Sequence, residues 1–295
     1  MNRLIFLFWF AIAGPTLGWG ADVTRTQYLM GTLCEIKAFG PSDGLINQAL
    51  NKAFGEIARL DSLLSPYLKT SEVSRINKTP IKKPISCSPD TFELFMLSQT
   101  YWSKTRQAFD ITLSGHFSDI HLDSAYRTVR SKKVGVKFDF GGIGKGYALD
   151  KAASVLKKEG IHKARLNFGG QILVFGPEAN KWTIKLTHPY DSTKTAGSIV
   201  ISNGSVSTSD QTNKHIVDPS SGQLPTNRGM VTVLAKTGTE ADALSTAFLV
   251  LGKDKSFEIT NMETNVCAIF TDYLPSKRLS QFISPACDKT NLSNL

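Results

Sequence analysis

Clustered charge, cysteine and long apolar runs are all scarce in this 295-residue chain. Past residue 20, no stretch approaches the roughly 18 consecutive apolar residues that a membrane helix needs, so no stable membrane insertion of the remaining chain is expected. Lysine and arginine outnumber aspartate and glutamate by 34 to 25, a net charge of +9, yet they stand singly or in pairs such as Lys82-Lys83 and Lys157-Lys158. A nucleic-acid surface requires a clustered basic stripe; none exists, and no nucleic-acid partner is expected. The sign of the charge suits either an anionic ligand or a solvated basic surface. The four cysteines (Cys34, Cys87, Cys267, Cys287) form no C-x-x-C pair and have no neighbouring His, which excludes a zinc ribbon and a thioredoxin-like couple. One or two disulfides remain open, and Cys267, inside the apolar run Val266 to Phe270, reads as buried packing. The closest histidines, His116 and His121, are five apart and do not share a helix face. With 41% hydrophobic and 20% charged residues, and no repeat or low-complexity linker, the chain is neither disordered nor fibrous.

The first twenty residues carry an address. Asn2-Arg3 precedes an apolar run from Leu4 to Ala13, and Gly18-x-Gly20 offers small residues for cleavage, which reads as a secretory signal peptide over 1–20. Gly14-Pro15 breaks the run too early for a spanning helix, and no Cys at the cut argues against a lipoprotein. The reading that follows is one domain over 21–274 and a polar, peripheral tail over 275–295, in a periplasmic or otherwise extracytoplasmic protein.

Strands and helices do not alternate as a doubly wound sheet requires, so the expected class is α+β, with mixed or antiparallel sheets and packed helices. Strands are expected at Thr32–Phe39, Val134–Phe140, Ala164–Phe175 (interrupted by Gly169-Gly170), Trp182–Thr187, Gly197–Ile201, Met230–Ala235 and Asn265–Thr271. Helices are expected at Leu45–Leu64, Thr91–Thr105 after Pro89-Asp90, Gly146–Lys158 and Glu240–Leu251.

Three segments carry chemistry. The densest glycine cluster, Phe138-Asp139-Phe140-Gly141-Gly142-Ile143-Gly144-Lys145-Gly146-Tyr147-Ala148-Leu149-Asp150, sits between a strand and a helix, where backbone N–H groups and Lys145 could approach a phosphate. It fits neither a Walker A loop nor G-x-G-x-x-G. The second, from Thr237 to Phe248, begins with a capping box from Thr237 to Glu240. It also places Asp242 and Thr246 on one helical face, an oxygen pair suited to Mg²⁺ beside a phosphate ligand. No Lys or Arg lies between Glu240 and Leu251 to compensate that carboxylate, and a divalent cation would do so. The third, from Lys214 to Gly222, offers His215 as a general base and Asp218-Pro219 as a turn. Ser207 to Asp210, just upstream, would line a polar pocket or a loop equally well.

Taken in order, these segments resemble the ApbE-type FAD:protein FMN transferases. The matching motifs are Met30-Gly31-Thr32, Ser65-Pro66-Tyr67, Ser71 to Asn77, Phe109-Asp110-Ile111-Thr112, the glycine loop, Asn167-Phe168-Gly169-Gly170, His215 to Pro219 and Ala241-Asp242-Ala243-Leu244. The resemblance implies an extracytoplasmic enzyme that takes FAD as substrate, uses Mg²⁺ and attaches FMN to a Thr or Ser of a target protein, releasing AMP. It implies FAD contacts at Met30, Tyr67, Asp139, Lys145 and the Ile216 backbone, His215 as the base, and metal contacts at Asp242, Thr246, Ser245 and the Gly142 carbonyl. The chain departs from that pattern between Leu113 and Gly135, where the family's Trp-Gly-Phe element is missing. The alternatives are a protein that holds FAD without transferring it and a Mg²⁺-dependent FAD pyrophosphatase.

Overall fold

A computed structural model describes residues 20–79, 83–189, 191–211, 216–225, 229–263, 265–273 and 279–293. The signal-peptide reading over 1–20 falls almost wholly outside them. In chain order the elements are β1 (Ala21–Leu29), β2 (Thr32–Gly40), α1 (Asp43–Leu64), α2 (Glu72–Lys78), β3 (Ile85–Ser86), α3 (Pro89–Lys104), β4 (Ile120–Asp123), β5 (Thr128–Ser131) and α4 (Gly144–Lys158). There follow β6 (Lys163–Phe168), β7 (Gln171–Phe175), β8 (Trp182–His188), β9 (Asp191–Ile201), β10 (Gly204–Asp210), β11 (Met230–Ala235), α5 (Gly238–Leu251), α6 (Lys253–Met262), β12 (Cys267–Tyr273), β13 (Leu279–Ile283) and β14 (Leu292–Ser293). The class is α+β, as the sequence predicts. No helix among the described residues is long and apolar enough to cross a membrane.

An eight-stranded antiparallel sheet, ordered β1-β2-β6-β7-β10-β11-β12-β13, is the centre of the molecule. Side-chain alternation splits its middle strands between two cores. Val231, Val233, Ala268 and Phe270 face the large core under α1, α4 and α5, whereas Met230, Ile269 and Val206 pack with Ile184, Leu186 and Ile199 of the small sheet β14-β9-β8. This two-sided burial explains why β11 and β12 read as nearly unbroken apolar runs. A second small sheet, β3-β5-β4, occupies much of the stretch where the Trp-Gly-Phe element is missing. Just ahead of β4, Phe117 is buried against Trp102, with ring centroids 6.0 Å apart.

Several expectations need correction. Val134–Phe140 forms no strand: Gly135 has φ +83°, and a single bridge joins Phe138 to Thr112. Asn77 replaces the missing ladder. Its Nδ2 donates to Phe138 O (2.8 Å), and its Oδ1 accepts from Phe138 N (2.7 Å). Gly169-Gly170 does not interrupt one strand but turns the β6–β7 hairpin, both residues having positive φ. The tail is tied into the fold, with β13 extending the main sheet and β14 pairing with β9. Cys267 is more than packing, because it forms a disulfide with Cys287, while Cys34 and Cys87 are free and buried.

The crossing of α4 and α5 tolerates no side chain. A Cβ on Gly146 would lie inside contact distance of the Gly238 carbonyl, and one on Gly238 would collide with Gly146 O. Gly146→Ala is therefore expected to destabilise the fold by about 3 kcal/mol, because rigid backbone must separate. Urea unfolding followed by circular dichroism checks this.

Candidate active site

The first turns of α4 and α5 cap each other. Gly146 N–H donates to Asp242 Oδ2 on α5 (2.9 Å), so the Asp242 carboxylate lies at the positive end of α4. In return Asp150, on α4, accepts from Gly238 N (2.7 Å), Thr239 N (2.8 Å) and Thr239 Oγ1 (2.6 Å) at the start of α5. The predicted N-cap is also present, Thr237 Oγ1 accepting from Glu240 N. Glu240 does not complete the capping box with its own side chain, which pairs with Lys104.

Asp242 is 4% exposed. Burial raises its pKa and the nearby Asp150 charge adds to that, while the charge of Lys145 and the backbone N–H groups of Gly146 and Lys145 pull it down. Compensation thus comes from α4, outside the helix the sequence reading searched. Several N–H groups of the expected phosphate loop already have acceptors within the protein. Gly141 N donates to Asp139 Oδ1 (2.7 Å), Ile143 and Gly144 N–H groups donate to Phe140 O, and the α4 N-terminus is spent on Asp242. Lys145 Nζ folds back onto Gly141 O (3.1 Å).

The oxygen set expected for a metal is only partly assembled. Thr246 lies one turn beyond Asp242 and donates to its carbonyl (3.1 Å). Gly142 faces it: a Cβ on Gly142 would stand 3.2 Å from Thr246 Oγ1 and 3.2 Å from the Phe109 ring, so the Thr246 side chain packs directly against the glycine backbone. Ser245 turns elsewhere. Its hydroxyl contacts Ser207 (3.1 Å), Ser209 (2.9 Å) and Asp242 O (3.0 Å), which places it toward β10. Ser207 and Ser209 therefore line the seat of α5 on a strand and are not part of a loop. Among the described residues no three His, Cys, Asp or Glu side chains gather. A buried carboxylate with a hydroxyl one helical turn on, packed against a glycine backbone, is nevertheless the donor chemistry of Mg²⁺ sharing a site with a phosphate ligand.

The remaining predicted residues are distributed around one end of the main sheet. Met30-Gly31 is a two-residue hairpin turn with φ +46° and +78°, the left-handed pair such a turn requires. Met30 N–H donates to Asp61 Oδ2 of α1 (2.8 Å). The adjacent β6–β7 turn touches it through Gly169 N and Leu33 O (3.1 Å), and β10 ends on the same side. Ile216 is buried, and its carbonyl accepts from Gln211 Nε2 (2.9 Å). Tyr67, after α1, is 88% exposed. His215 lies outside the described residues. Asp218 behaves as turn chemistry, accepting from Ser220 N and Ser220 Oγ. Asp61 carries no signal in the sequence, while Asn77 and Asp150 stand there only as the last residues of the Ser71–Asn77 and glycine-rich segments, with no role assigned to either.

The ApbE family model matches residues 30–120 and 114–270, which together span most of the chain. An FAD:protein FMN transferase of Klebsiella pneumoniae (strain 342) is 26% identical over 281 residues, covering 82% of this chain and 86% of that protein. One of Treponema pallidum (strain Nichols) is 23% identical, covering 88% and 86%. Among solved structures, the flavin transferase ApbE from Vibrio cholerae superposes with a TM-score of 0.81 at 20% identity, covering 90% of this chain and 98% of that one. The apo flavinyl transferase ApbE of Pseudomonas stutzeri gives 0.81 at 22% identity, covering 92% and 97%. With the family model spanning both the α4 and the α5 halves of the crossing, this chain belongs to the ApbE family.

Proposed function

We propose that this chain is an FAD:protein FMN transferase that uses Mg²⁺ to move FMN from FAD to a Thr or Ser hydroxyl of an acceptor protein outside the cytoplasm. The enzyme class is that of its curated relatives. The observation that supports the finer reading is the buried Asp242, held at the start of α4 one turn from Thr246, whose side chain packs against Gly142 of the glycine loop. The export reading is supported by the leader-like residues 1–20 and by the Cys267–Cys287 disulfide, which suits an oxidising compartment.

In this reading Asp242, Thr246 and the Gly142 carbonyl hold Mg²⁺, which supplies charge neutralisation at the FAD pyrophosphate when bound. Lys145, next to the glycine loop, adds a positive charge for the same phosphates. His215 accepts the proton of the acceptor hydroxyl. The hydroxyl oxygen bonds to the FMN-side phosphorus, the bond from that phosphorus to the AMP-side bridging oxygen breaks, and AMP leaves with the bridging oxygen. The Met30 turn and Tyr67 contact the flavin portion, away from the reacting phosphorus.

That division of labour is testable. Met30→Ala and Tyr67→Ala are expected to weaken FAD binding, read by quenching of flavin fluorescence, by about 10-fold each while leaving turnover at saturating FAD largely intact. Unchanged affinity in both variants would put the flavin elsewhere. The phosphoryl step itself is checked by chromatography of nucleotides: AMP should appear only when FAD, Mg²⁺ and an acceptor are all present.

A further inference from the structure

Asp150 has no part in either the flavin or the metal reading, yet it holds the corner where both meet. It forms no ion pair among the described residues; its two oxygens accept three bonds, all from the first turn of α5. Three donors converging on two oxygens need an acceptor-only group, which a carboxylate is and an amide is not. Gly238 is fixed from its other side as well, its carbonyl accepting from Gln171 Nε2 of β7 (2.8 Å). Beyond that turn α5 continues as regular helix, so the placement of Gly238 and Thr239 sets where Asp242 and Thr246 stand one and two turns further on. The Gly146–Gly238 backbone contact leaves no slack in the crossing.

We propose that Asp150 is the positioning residue of the metal corner: by clamping the start of α5 onto α4 it brings Asp242 to Gly146 and Thr246 to Gly142 before any metal or flavin arrives. The proposal rests on reading Asp242, Thr246 and Gly142 as the metal's oxygen set. Asp150 touches neither metal nor substrate in this account. Its influence is on affinity through geometry, as outer groups behind metal ligands usually act.

The test is Mn²⁺ binding, read by loss of the free-ion electron paramagnetic resonance signal, in full-length mature protein saturated with FAD and without acceptor. Asp150→Asn is expected to bind Mn²⁺ about 10–100-fold more weakly than wild type, with transfer recovering as Mg²⁺ is raised. Thr239→Val, which removes one of the three bonds, is expected to shift affinity the same way by less. Wild-type Mn²⁺ affinity in folded Asp150→Asn, whatever its melting temperature, overturns the proposal and leaves the metal corner standing. If Asp150→Asn does not fold, Thr239→Val decides by the same comparison. Absence of Mn²⁺ binding by the wild type removes the metal corner, and the proposal with it.

Discussion

Asp242→Asn is expected to reduce FMN transfer by about 10³-fold, the loss of several kcal/mol of charge stabilisation at the phosphate, while the protein stays folded. The amide oxygen of Asn can still accept from Gly146 N–H, so the helix crossing is kept. Only the charge goes. Because burial raises the pKa of Asp242, the ionised form is disfavoured in the native state, and the neutral variant should be no less stable than wild type in metal-free buffer at neutral pH. The sign has a second consequence. As pH falls through that raised pKa, protons compete with metal for the carboxylate, so Mg²⁺ affinity and activity should decline together on the acid side, and excess Mg²⁺ should move the decline to lower pH. Thermal melts in EDTA and activity titrations at several pH values check both statements. Retention of full activity by Asp242→Asn, or by wild type in EDTA, would return Asp242 to a purely structural role at the α4 N-terminus.

His215→Ala is expected to lower transfer by about 10²–10⁴-fold, the usual contribution of a positioned general base, with FAD and Mg²⁺ affinities unchanged. In the proposed reaction the imidazole acts on the proton of the attacking hydroxyl, while binding of the dinucleotide is assigned to other residues. Ile216, the next residue, is buried and held through its carbonyl by Gln211, so the substitution leaves that anchor in place. Single-turnover transfer at saturating FAD separates the step from binding. Wild-type rates would remove His215 from the reaction.

Local signals made much of the fold legible. Ser88 caps α3 with Pro89 at its start, Thr237 caps α5, and the helical spacing of Leu50, Phe54, Ile57 and Leu64 marks the buried face of α1. What sequence could not reveal was pairing through side chains. Val134–Phe140 has strand composition, but its central partner is the amide of Asn77, 61 residues away. The glycine loop looked like a phosphate cradle because nothing local shows that Asp242, 96 residues on, takes the helix end. Asp242 and Thr246 were readable as a pair because four-residue spacing guarantees a shared face, whereas Ser245 needed β10 to show that it turns away. Asp150 closes the glycine-rich segment, but nothing local shows that its carboxylate caps α5, 88 residues on.

The central claim is that a phosphoryl-linked FMN leaves FAD and ends on a protein. Intact-mass spectrometry of a candidate acceptor protein, incubated with this protein, FAD and Mg²⁺, tests it most directly. The account predicts an acceptor heavier by one FMN phosphoryl group, located on a Thr or Ser by peptide mapping and absent when EDTA is added or Asp242→Asn replaces the wild type. AMP and free FMN released with no gain in acceptor mass would mean that water takes the flavin, and FAD bound but unconsumed would mean a carrier; either result would contradict the account.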